Sequence, residues 1–166
     1  QQVRKRLPTC KVEVLIPDFC GDWGALATVV AAGPETLNHN IETVRRVFRR
    51  VRPKGDYDQS LELLARAKRL APDGVTKSGM MVGLGETFDE LVATMREIRT
   101  VGVSIFTIGQ YLQPTKEHLP VQRYVSEDEF DTYKQLGLDM GFNVVESGPL
   151  VRSSYHADEQ TRQASE

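Results

Sequence analysis

VTKSGMMVGLGETFDE, residues 75–90, decides the fold. An apolar run, 75–84, leads into the glycine-rich turn GLGE, 83–86. Thr87 follows, with Glu90 three residues on, the pairing of a capping box at a helix start. Strand, tight turn and capped helix make one βα unit. The helix is predicted to run to about Thr100, where Gly102 stops it.

The same pattern repeats on both sides. Residues 12–16 (VEVLI) form a run whose apolar content on both faces predicts a buried parallel strand. Shorter or similar candidates lie at 36–40, 103–112 and 143–147. Helical spacing of Ile41, Val44, Val47, Phe48 and Val51 predicts a helix over 41–51. Asp56 with Gln59 opens another, which continues to Pro72. Ser126 with Glu129 opens the last, which ends near Gly141. Strands alternating with helices predict an α/β fold with a parallel sheet and right-handed crossovers. In such folds ligands gather at the carboxyl ends of the strands.

Composition sets limits. The 166 residues, 40% hydrophobic, suffice for one ordinary core. A net charge of -2 gives no global basic field, so broad nucleic-acid binding is not expected. No apolar run approaches the ~18 residues of a membrane span. The start, QQVRKRLPTCKVEV, lacks initiator Met and has no signal-peptide pattern, which fits a chain cut from something longer. Cys10 and Cys20 match no zinc or iron–sulfur spacing and read as reduced cytosolic thiols.

Each strand end carries polar or glycine-rich sequence: PDFCGD, NHN, GLGE, GQYLQPT and SGPLVRSSY. Singly, each has a plain reading. GLGE is a tight turn or a ligand loop, and matches neither a Walker loop nor a dinucleotide fingerprint. Asn38 and Asn40 are helix caps or ligand contacts. His39 reads as structural. Arg45, Arg46, Arg49, Arg50 and Arg52 form a solvated face, with Glu42 placed to pair with Arg46, or a docking surface for an acidic partner. Together, amides, carboxylates and glycines at one end of a parallel sheet suit a ligand with ribose, amine and carboxylate groups. The residues alone identify no reaction.

VEVLIPDFCGD, LNHNIETV, VTKSGMMVGLGET, FTIGQYLQPTKEHLPV and SGPLVRSSYHA, in this order, resemble the lipoyl synthase family of radical S-adenosylmethionine (SAM) enzymes. The resemblance covers about 12–158. It implies the later βα units of a partial (βα)6 TIM-like barrel over 1–125, and a C-terminal helix, strand and RSSY tail over 126–166. It implies SAM and two [4Fe-4S] clusters in the full-length enzyme. Neither cysteine motif that holds those clusters is present, and Cys20 departs from the arginine usual there. The chain alone is therefore expected to be inactive.

By the same resemblance Ser154 matches the serine ligand of the auxiliary cluster, with Arg152 closing over the site and Tyr155 packing beside it. Asn38, Asn40, Glu42, Lys77, Glu86 and Gln113 fall on segments that approach the cofactor, although Lys77 reads equally as half of a structural salt bridge. No residue is singled out as catalytic. The implied reaction inserts sulfur at C6 and C8 of an octanoyl group on a lipoyl carrier domain (a 2-oxoacid dehydrogenase E2 or a glycine cleavage H protein). A flavodoxin or ferredoxin supplies electrons. No nucleic acid or membrane partner is implied, and the expected location is the bacterial cytoplasm. The alternative is a non-catalytic module of the same fold that binds SAM, a nucleotide or the carrier.

Overall fold

Apolar, β-branched runs too short for helices pair here as strands. The computed structural model describes residues 2–154 and 157–164. β1 (Glu13–Leu15), β2 (Thr36–Asn38), β3 (Val75–Val82), β4 (Ile105–Gln110) and β5 (Val144–Gly148) lie side by side in chain order, every pair parallel. The helices are α1 (Gln2–Arg6), α2 (Trp23–Ala31), α3 (Arg45–Val51), α4 (Tyr57–Leu70), α5 (Phe88–Thr100), α6 (Glu127–Asp139) and α7 (Ala157–Gln163). A parallel sheet that advances one strand at a time, with helices in the crossovers, is the architecture of a partial TIM-like barrel.

Parallel register places paired residues on the same face. One face, with Leu37, Met80, Val82, Phe106, Ile108 and Val145, packs against Leu63 and Leu64 of α4, Met95 and Ile98 of α5, and Phe130 of α6. Burial of each such side chain contributes roughly 1.5–3 kcal/mol, and this is the main core. The opposite, inner face is layered. At the amino ends of the strands, Val75, Ile105 and Val144 pack with Ala164, and Thr36 Oγ1 lies 3.0 Å from Thr161 Oγ1 of α7. Asn38 and Lys77 share the row of Ile105 and Val144, one row above Val75. Lys77 is fully buried and its Nζ lies 3.1 Å from Glu13 Oε1, which also accepts from Asn38 Nδ2 at 3.2 Å. Gly79, Thr107 and Glu146 form the next row.

The capping signals behave as the sequence predicts. Thr87–Glu90 and Ser126–Glu129 form complete capping boxes, and the Asp56 side chain accepts from the Gln59 N–H. Gly102 and Gly141 follow their helices with φ of 90° and 89°, a conformation open to glycine.

Three expectations change. Residues 41–44 are not helical: Glu42 sits at φ 69°, donates its N–H to Gly79 O and accepts from Met81 N–H, so this stretch extends the pairing with β3 and the helix begins only at Arg45. β1 is parallel but is not the buried strand that its apolar content predicts: among the described residues no strand pairs with its other side, and Leu15 is 59% exposed, the apolar edge expected where a barrel is cut at this strand. Three helices had not been assigned. One is the short α1. Another is α2, capped by Asp22, which accepts from Gly24 and Ala25 N–H. The third is α7, a polar segment beside the inner face, where Thr161 meets Thr36.

Replacing Glu13 by Gln would leave the buried Lys77 ammonium without a counter-charge, and should cost about 3 kcal/mol of unfolding free energy in a urea titration. The double variant Glu13→Leu/Lys77→Met should recover most of that loss. A single-variant loss below about 0.5 kcal/mol would show that the pair behaves as a surface one.

Candidate functional site

The carboxyl ends of β2–β4 and the tail at 151–153 enclose a cavity of about 180 Å³. Asn40, Glu42, Thr107, Gln110, Arg152 and Ser153 contribute its polar lining. Two glycines shape it. A Cβ at Gly79 would overlap Thr107 Oγ1 and lie 3.2 Å from Asn40 Oδ1; a Cβ at Gly109 would overlap the Val151 carbonyl oxygen and lie 3.2 Å from Arg152 Nη1. Glycine within a strand marks a close approach of another group. At Gly109 that group is the tail itself, seated directly on β4.

Asn40 Oδ1 is buried and without a hydrogen-bond partner among the described residues. Such an acceptor costs stability unless something donates to it. Beside it, burial pushes the Glu42 carboxyl up from the ordinary range, while Arg52 and a hydrogen bond from Asn40 pull the other way. Glu42 also holds a left-handed backbone conformation, a strain of order 1–3 kcal/mol that is fixed by its two bonds to β3.

The structure brings Asn40, Glu42 and Arg152 together at this cavity. Ser154 is exposed and follows Ser153 of the lining; Tyr155 lies outside the described residues. The other sequence-derived candidates have internal partners. Asn38 and Lys77 sit in the layer below, bonded to Glu13. Glu86 accepts from the Gly83 and Leu84 N–H groups at 2.7 and 2.9 Å, so it fastens the turn after β3. Gln113 is exposed and donates to His118 O at 2.9 Å. His39 is buried on the helix side of the sheet, its Nδ1 2.9 Å from Ile16 O, and burial lowers its pKa. Sequence reasoning placed Gly79 only at the start of a stretch approaching the cofactor, and did not single out Thr107, Gly109 or Ser153. Glycine recurring inside two adjacent strand patterns was the available signal.

The arginine helix is largely occupied with the protein's own carboxylates. Arg45 bonds Asp58 at 2.7 Å and Glu97 at 3.3 Å, and Arg49 lies 3.5 Å from Asp56. Arg46 does not meet Glu42. It donates to Glu90 at 2.6 Å and to Gly85 O at 2.7 Å, which locks the GLGE turn from outside.

Among the described residues no group of three or more His, Cys, Asp or Glu is placed to hold a metal ion, and no helix is long and apolar enough to cross a membrane.

Comparison with known proteins gives a consistent picture. The Radical SAM superfamily model matches residues 2–98. A lipoyl synthase of Rubrobacter xylanophilus is 60% identical over 162 residues, covering 98% of this chain and 50% of the relative. One from Chloroflexus aurantiacus is 58% identical over 155 residues, covering 93% of this chain and 51% of the relative. The chain thus spans about half the length of the curated relatives it matches. Among solved structures, methylornithine synthase aligns over 95% of this chain and 54% of its own, with a TM-score of 0.61 and 16% identity, a likeness of fold.

The Arg46 guanidinium holds the Glu90 carboxyl at about 2, below its ordinary 4.5. A depressed folded-state pKa contributes stability above the unfolded value and loses it as pH falls through the folded one. The melting-temperature advantage of the parent over Glu90→Gln should therefore be largest above pH 4.5 and shrink as pH falls towards 2. A constant difference across that range would show that the pair does not lock the turn.

Proposed function

The chain belongs to the radical SAM superfamily, and from that premise we propose that it forms the later strands and the tail of a lipoyl synthase. The whole enzyme would insert two sulfur atoms at C6 and C8 of an octanoyl group carried by a lipoyl domain, and this chain alone would not turn over. The observation that carries the reading is the meeting of strand ends and tail at one cavity, in a chain 60% identical to a lipoyl synthase over 162 residues.

The cavity's chemistry suits SAM. The orphaned Asn40 Oδ1 needs a donor, which a ribose hydroxyl or an ammonium supplies. Gly79 lets Thr107 Oγ1 and Asn40 Oδ1 close in over the β3 backbone, so that both polar side chains line the cavity beside it. Glu42 and Arg152 offer opposite charges for the amino and carboxylate ends of an amino acid. When bound, the cofactor supplies the radical chemistry; the protein orients it and excludes water. Asn38, Lys77, Glu86 and Gln113 act indirectly in this scheme, by fixing the strand layer below, the turn after β3 and the loop after β4.

The described residues do not by themselves make a cluster site. Ser154 would contribute one hydroxyl ligand to the auxiliary cluster, with the cysteines supplied by sequence these residues do not contain. A hydroxyl oxygen is a harder, more easily released ligand for iron than a thiolate, which suits a cluster that gives up its sulfur. The 126–166 segment would be the C-terminal extension that delivers this ligand.

Asn40→Ala should weaken SAM binding to the chain by about ten-fold, measured by titration calorimetry. Equal affinity in both proteins would remove Asn40 from the site. In the full-length enzyme, Ser154→Cys should retain the iron content yet impair sulfur insertion; normal turnover would overturn the ligand assignment.

A further inference from the structure

The tail meets the inner face twice, at opposite ends of the sheet. Val151 is buried with its carbonyl oxygen on Gly109, so that 151–153 wall the cavity at the carboxyl ends. Ten residues on, Thr161 of α7 meets Thr36 at the amino ends. Thr36 pairs in register with Val75, and Gly109 with Met81, six positions further along β3. At ~3.3 Å per residue, with two strand spacings between β2 and β4, the contacts lie about 22 Å apart. The link from Val151 to Ala157 reaches at most about 21 Å fully extended, and the helical steps to Thr161 add about 6 Å. The tether has little slack. The two contacts also differ in kind. Among the described residues, the hydrogen bonds of 151–153 stay within 148–152: Val151 N–H to Gly148 O at 3.2 Å and Arg152 Nη1 to Val151 O at 2.7 Å. The wall is seated on β4 by shape alone. α7 is anchored: Gln160 and Thr161 are buried, and Ala164 packs against Val75, Ile105 and Val144.

We propose that α7 is a latch for the cavity: docked at the amino ends it holds 151–153 against Gly109, and its release frees that wall and opens the cavity. Thr36 and Ala164 are then positioning residues, which act on the cavity from the far end of the sheet without lining it. α7 has the properties of a two-state element. It is a seven-residue, mostly polar helix, ADEQTRQ, and helices shorter than ~12–15 residues are marginal on their own. It is helical because it is docked, so leaving the seat and unwinding are one event. Its flank is loosely filled, with a cavity of about 420 Å³ between residues 9–13 and Asp158 and Arg162. Segments with few buried apolar contacts open at the lowest free-energy cost. Because the tether is short, the wall and the helix stay seated together or lift together.

The test puts a reporter thiol in the wall of the full chain, Val151→Cys, with Cys10→Ser and Cys20→Ser removing the other two thiols. Its reaction rate with Ellman's reagent reads how often the wall lifts. Amide hydrogen exchange over 157–164 in the same protein reads how often α7 leaves its seat. In the reporter protein the two opening frequencies should agree within about three-fold. Adding Ala164→Asp sets a carboxylate among Val75, Ile105 and Val144, and should raise both by about ten-fold or more. Ala164→Ser should change neither by more than about two-fold. A chain ended after His156 lacks α7, and its thiol should react at least as fast as in Ala164→Asp. Amides of β3 and β4 are followed throughout and should keep their protection, which separates release of the tail from unfolding of the domain. If α7 opens in Ala164→Asp while the thiol stays as slow as before, or if the thiol of the shortened chain reacts at the reporter's rate, the latch is overturned. Should neither variant fold, the reporter protein alone decides: opening frequencies that differ by more than about three-fold would show that α7 does not hold the wall.

Discussion

Everything at the strand ends depends on how a parallel ladder treats its two faces. Residues paired across parallel strands point the same way, so each row of the inner face is one layer, and the layers stack from the amino to the carboxyl ends. Here Glu13, Thr36 and Val75 make one row, Asn38, Lys77, Ile105 and Val144 the next, and Gly79, Thr107 and Glu146 the one above. The ion pair of Glu13 with Lys77, which joins the first two rows, is the constraint. A lysine with no solvent contact is tolerated only because Glu13 reaches it from the neighbouring edge of the sheet. That bond ties β1 to β3 across β2 and sets the floor on which the cavity rests.

Above that floor, glycine does the shaping. Gly79 and Gly109 remove side chains where Thr107 and the tail must come close. The turn after β3 is then held from inside by Glu86 and from outside by Arg46. The fixed parts of the rim are therefore loops whose backbone groups are bonded to side chains, which allows irregular chain to act as a rigid wall.

Much of this was legible. Capping boxes at Thr87 and Ser126 and stop signals at Gly102 and Gly141 are local, so they can be read from a few residues. The parallel sheet followed from alternation. What could not be read was set by distant contacts. The segment 41–44 has helical spacing, yet its backbone is claimed by β3, and tertiary pairing overrode periodicity. Asn38 and Lys77 stand near the cavity yet are bonded to the distant Glu13, while Glu86 and Gln113 are bonded within their own turn and loop, and sequence cannot say whether a polar side chain has already found a partner. Thr107 and Ser153 lacked any local signature; they belong to the site because β4 and the tail meet there.

The seating of the tail on Gly109 has a consequence for biosynthesis. The ribosome makes the tail after every strand that it covers. Until then the strand ends can fold into their sheet, but the cavity has no closing wall. An incomplete chain would present the Asn40 amide and the Gly109 backbone to bulk solvent. The cavity is thus complete only once residues 151–153 have emerged.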